Sequence, residues 1–105
     1  MASPGSLTVD RGVITEMVRL AALEVPGVMR VGRAGPRWRQ LLAGRPVSTR
    51  VRDSRVDVRV SLVARPGQPL GPLAADVRAA VGAAVVRLLG LELGTVTVLV
   101  DGVGS

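Results

Sequence analysis

The sequence predicts an α+β fold in which two helices pack on one face of a small three- to four-stranded mixed sheet, in the order (β)αββαβ. Three observations lead there. Between Leu70 and Leu89, the residues Leu70, Leu73, Val77, Val81, Val85 and Leu88 recur every three or four positions, which sets them on one helical face. From Arg55 to Ala64 the period is two: Val56, Val58, Val60 and Leu62 point one way, and Asp57, Arg59 and Ser61 the other. That is the pattern of a strand with one covered and one wetted face. Beyond Gly90 the period is again two, with Val96, Val98 and Val100 on one side of a final strand.

The other elements follow in order. Gly5 to Val9 alternates apolar and polar residues and reads as a very short strand or extended lead-in, with Asp10 as an N-cap. Val13, Ile14, Met17, Val18, Ala21, Ala22 and Val25 form a broad helical stripe, with Glu16 and Arg19 opposite it. Pro26-Gly27 stops that helix, because proline disfavours the helical conformation in the residue before it. Val28 to Val31 reads as a short strand. Residues 32–46 are bounded by Gly and Pro and read as a mobile basic loop, with one helical turn from Trp38 to Leu42. Val47 to Arg52 is extended, Asp53-Ser54 turns back into the alternating strand, and Gly90 is the C-cap of the second helix. Laying both helices on one sheet face buries every stripe. A single domain over residues 1–105, without internal repeats, is expected.

Composition narrows the chemistry. Of 105 residues 48% are hydrophobic but only one is aromatic, so the core is built from Val, Leu and Ala. The absence of cysteine excludes disulfides and thiolate metal sites. The absence of histidine removes the commonest metal ligand and general base. Ser6, Ser48, Ser54 and Ser61 then have no imidazole to activate them, and no catalytic residue, cofactor or small-molecule substrate is predicted. Glu16, Glu24, Asp57, Asp76 and Glu92 are scattered over different elements, each with an arginine nearby, and read as surface pairs. No uninterrupted apolar run reaches the roughly 18 residues of a membrane span, and the N-terminus lacks the regions of a signal peptide, so a cytoplasmic location is expected. The net charge of +6 is entirely arginine.

An ordered set of residues resembles a known family. Gly5-x-Leu7-x-Val9 is followed by Val13-Ile14-x-x-Met17-Val18-x-x-Ala21-Ala22-x-Glu24-Val25-x-Gly27-Val28. Later come Val56-Asp57-Val58-Arg59-Val60, the helical Val77 and Val81, Gly90-Leu91, and Val96-Thr97-Val98-x-Val100-x-Gly102-Val103. Together they resemble the bacterial alkaline-shock-protein or general-stress-protein family, also called envelope stress response proteins. The likeness spans nearly the whole chain apart from the basic loop. It implies a non-enzymatic binding or scaffold protein linked to the cell envelope, which forms homo-oligomers in some members and sits peripherally at the inner face of the membrane through a separate membrane-anchor protein. This chain is strongly basic, whereas several members are acidic.

The basic loop and the strand after it supply the candidate binding residues: Arg33, Arg37, Trp38, Arg39, Arg45, Arg50 and Arg52. With Arg55, these include half of the 14 arginines, and Asp53 is the one acid among them. Guanidinium groups bind phosphate and carboxylate bidentately, and a tryptophan between them suits a membrane interface or base stacking. A solvated loop shaped by arginine-rich codon usage is the plainer reading. Gly32-Arg33-Ala34-Gly35 also fits the Gly-x-x-Gly pattern of KH-type RNA-binding loops, giving a nucleic-acid-binding module as the alternative. An anionic surface or acidic partner is favoured over it, because Pro26-Gly27 breaks the helix well before the glycines.

Overall fold

The computed structural model describes residues 11–33, 35–36, 38 and 44–104. The lead-in strand of residues 5–9 and the Asp10 cap lie outside these residues. The elements are α1 (Arg11–Leu23), β1 (Val28–Val31), β2 (Val47–Arg52), β3 (Arg55–Ala64), α2 (Leu70–Leu89) and β4 (Glu92–Val103).

β3 is the centre of the sheet. On one side it pairs antiparallel with β1 through Val28↔Ala64 to Val31↔Leu62, and with β2 through Val47↔Val60 to Arg52↔Arg55. The two short strands thus lie end to end along one edge of β3. On the other side β3 pairs in parallel with β4, from Arg55↔Glu92 to Ala64↔Val103, which makes the sheet mixed as the sequence predicts. The parallel pair needs a crossover, and α2 supplies it.

The junction between β1 and β2 falls at one residue. Ser61 N–H donates to the Pro46 carbonyl (2.7 Å), and the Ser61 carbonyl accepts from Gly32 N–H (2.9 Å). The chain therefore leaves the sheet at Gly32 and rejoins it at Pro46 while both backbone groups of Ser61 stay satisfied. Alternation puts Ser61 on the wetted face, yet it is only 2% exposed. It lies at this junction, with the half-buried Leu99 in register beside it on β4.

Both helices cover the valine face. Ile14, Val18 and Ala22 of α1 and Leu73, Val77, Val81 and Val85 of α2 close over Val47, Val56, Val58, Val60, Leu62 and Val96. On each helix the buried row has a spacing of four. That corrects three sequence assignments: Val13, Leu70 and Leu88 are 48%, 42% and 64% exposed. Leu70 and Leu88 point into the same sector as the buried row but sit in the first and last turns of α2, beyond the ends of the row from Leu73 to Val85. Val13 sits one residue, a quarter turn, from Ile14. Leu88→Gln is accordingly expected to change stability by no more than about 0.5 kcal/mol, measured by urea unfolding. Gly90 takes the left-handed conformation (φ 65°, ψ 21°) that ends α2, as expected.

Candidate anion-binding face

The β2–β3 hairpin organises the exposed side of the sheet. Asp53 and Ser54 both have positive φ (50° and 65°), the paired left-handed geometry of a two-residue hairpin turn. The Ser54 carbonyl accepts from Glu92 N–H (3.0 Å), tying the turn to the start of β4. This register faces Ser48 with Arg59, Arg50 with Asp57 and Arg52 with Arg55. Because strand residues alternate, Arg50 and Arg52 of β2, Arg55 and Arg59 of β3, and Thr97 of β4 share the face away from the helices. Arg52 and Arg55 stand directly opposite each other, a like-charge pairing that weakens a sheet.

A bulge in β4 fixes the acid in the middle of this face. Between Leu93↔Val56 and Val96↔Val58, β4 carries one residue more than β3. The bulge frees Thr95 N–H, which donates to the Asp57 carboxylate at 2.8 Å. Gly94 lies so close beneath that a Cβ there would overlap Asp57 Oδ1.

Charge is unevenly spread along the face. At the turn end, a concavity of about 790 Å³ is lined by Arg52, Asp53, Arg55, Asp57 and Glu92 together with Leu93, Gly94 and Thr95, so its two arginines meet three acids. Arg55 and Glu92 form a 3.9 Å pair there, both largely exposed and hence of little energetic weight. Midway, about 500 Å³ lies between Ser48, Thr49, Arg50, Asp57, Val58, Arg59, Thr95 and Thr97. At the end where β2 begins, Arg33, Arg45 and Arg59 line a third hollow with no carboxylate among the described residues of its wall.

Arg33 is half-buried just after β1, while Arg45, Arg50 and Arg52 are exposed. Trp38 is helical in conformation and 65% exposed. Arg37 and Arg39 lie outside the described residues. The site therefore brings Arg33 and Arg45 together with Arg59, which the sequence reading placed only on a wetted strand face. The register Ser48↔Arg59 was the missing signal, and pairing of that kind is not visible in one strand's own pattern. Gly32-x-x-Gly35 follows a strand and so does not join two helices. Elsewhere Arg19 is engaged on α1: it donates to both Glu16 carboxylate oxygens (Nε to Oε2, 3.0 Å). That hydrogen bonding holds Glu16 below its ordinary carboxylate range.

Comparison with solved structures supports the fold. Variants of the MamM C-terminal domain match in a manganese form (TM-score 0.58, 18% identity, covering 89% of this chain and 99% of that one) and in a copper form (TM-score 0.58, 17% identity, 89% and 98%). A zinc form matches with a TM-score of 0.56 at 18% identity, over 87% of this chain and 84% of that one. At such identities the likeness is one of fold, and the metals are those proteins' own. Among the described residues here, no three His, Cys, Asp or Glu side chains gather as a metal would require. No helix among them is long and apolar enough to cross a membrane. No curated protein matches the sequence significantly. The sequence itself fits one family model over residues 2–105, and the chain belongs to the alkaline shock protein 23 family, whose described function is cell envelope-related.

Proposed function

We propose that this protein is a non-enzymatic binding and scaffold module that docks on the anionic inner surface of the cell membrane, using the arginine-rich end of its open sheet face. The observation that carries this reading is the lopsided charge. Acids offset the arginines near the hairpin turn, whereas among the described residues Arg33, Arg45 and Arg59 meet no carboxylate where β2 begins. Arg50 stands next along the face, and Trp38 is exposed in the excursion from Gly32 to Pro46. Each basic side chain near an anionic leaflet contributes about 1 kcal/mol, and an exposed indole suits the headgroup layer. The envelope-related family supports the same setting.

Self-association completes the scaffold. Among the described residues β4 pairs only with β3, and the other edge of this twelve-residue strand is the place where a second copy would add. An apolar strip of Ala75, Ala79, Gly82, Ala83 and Val86 runs beside Leu93 of that strand. Light scattering is expected to give a dimer or larger, and a monomer at high concentration removes this part.

Co-sedimentation with phosphatidylglycerol vesicles tests the docking. Binding is expected at low salt, with little on neutral phosphatidylcholine and little at high salt, because screening erases surface electrostatics. The triple variant Arg45→Gln, Arg50→Gln, Arg59→Gln loses three charges and should bind about 100-fold more weakly. Equal binding to neutral vesicles, or an unchanged triple variant, would sink the proposal. Tight, salt-sensitive RNA binding with no vesicle binding would replace it with the nucleic-acid reading.

A further inference from the structure

We infer that the hollow where β2 begins is a discrete phosphate-recognition site, selecting a terminal phosphomonoester dianion over the diesters of bulk lipid. Its volume is about 720 Å³, enough for a phosphorylated small molecule or a lipid headgroup. Gly12 and Thr15 of α1, Arg33 after β1, Arg45 before β2, Val47 to Thr49 of β2, and Arg59 of β3 form its wall. Four separate stretches of chain thus converge on one spot. Three of the side chains are guanidiniums, with the Ser48, Thr49 and Thr15 hydroxyls among them and no acid among the described lining residues.

Two features distinguish this hollow from an ordinary basic surface. First, Arg33 Nε is buried without a hydrogen-bond partner, while Arg33 itself lines the hollow. A guanidinium left partly unsatisfied is costly, and an anion in the hollow would offset that cost by meeting the charge of the whole group. Second, the ion pairs among the described residues are Glu16–Arg19 and Arg55–Glu92, and neither draws on Arg33, Arg45 or Arg59. With no counter-charge among the described residues, the three charges repel one another, and an anion would relieve that repulsion. A dianion with three terminal oxygens accepts from several guanidiniums at once, whereas a phosphodiester offers one charge and two free oxygens. The hollow's position beside Arg50 and the sheet face joins it to the docking surface, so the inference rests on the anionic-surface reading while naming a narrower ligand.

The two are separable by experiment. Inorganic phosphate is titrated into the full chain at constant ionic strength, following thermal stability, with chloride as the matched monoanion. Phosphate is expected to raise the melting temperature in a saturable manner, as any native-state ligand does. Arg45→Gln and Arg33→Gln should each weaken that response about tenfold or more. Arg87→Gln, which removes one exposed charge from α2, should leave it intact and so control for net charge. Vesicles then identify the source of the phosphate. Stronger binding to phosphatidate than to phosphatidylglycerol at equal surface charge marks a lipid headgroup, and equal binding with an intact phosphate response marks a free phosphorylated metabolite. No phosphate-specific stabilisation, or stabilisation unchanged in Arg45→Gln, overturns the site. Phosphatidylglycerol binding that survives such a result leaves the docking surface standing without it.

Discussion

Val81→Asp is expected to abolish folding. Val81 is fully buried at the middle of the α2 row, with Val77 and Val85 one turn away on either side. A carboxylate there would be buried among aliphatic side chains with no cation to meet it, and burying an unpaired charge is among the most damaging single changes. The expected loss exceeds about 4 kcal/mol, against a total of roughly 5–15 kcal/mol for a domain of this size. Circular dichroism should show no cooperative thermal transition. Val98→Asp is a graded comparison: Val98 faces the same core but is only partly buried, so its carboxylate keeps some water and the variant should fold with a lowered midpoint. Equal stability of wild type and Val81→Asp would mean that the helix does not pack on the sheet.

Gly94→Val should be the next most harmful. The bulge brings residue 94 so close to β3 that a Cβ would overlap the Asp57 carboxylate and approach Arg55 Cγ to 2.9 Å. The first neighbour is also the acceptor for Thr95 N–H. A branched side chain would therefore displace Asp57 and leave that amide without its partner. The expected cost is about 2–4 kcal/mol, read as a shift of the urea midpoint. Gly71→Ala is the control: residue 71 is in the first turn of α2, and apart from its chain neighbours nothing lies within 4 Å of its missing Cβ. That exchange should stay within about 1 kcal/mol of neutral, alanine's better helix propensity being offset by Pro72 crowding the residue before it. Comparable damage from both would show that close approach at Gly94 is not the cause.

The contrast between these glycines shows what a sequence can reveal. The helices, the hairpin turn at Asp53-Ser54 and the Gly90 cap were legible, because each depends on neighbours within a few positions. So was the shared face of Val56, Val58, Val60 and Leu62, since alternation is a property of one strand. The bulge at Gly94 and Thr95 was not, because an extra residue in a ladder exists only relative to the partner strand. The same reason hid Arg59. On its own strand it is one polar residue in an alternation, and it joins Arg33 and Arg45 only through the pairing of β2 with β3. Leu88 shows the opposite error. Its spacing satisfied the helical pattern, but the buried row ends at Val85, a turn before the helix does.

The meeting of two strands at Ser61 has an evolutionary consequence. Because Gly32 and Pro46 both hydrogen-bond to the same residue, the distance between the ends of the intervening segment is set by β3 and not by how many residues the segment contains. Doubling its length would cost only about 0.6 kcal/mol of closure entropy. Related chains are thus at liberty to lengthen, shorten or recharge that stretch, changing what they adhere to while inheriting an unaltered scaffold.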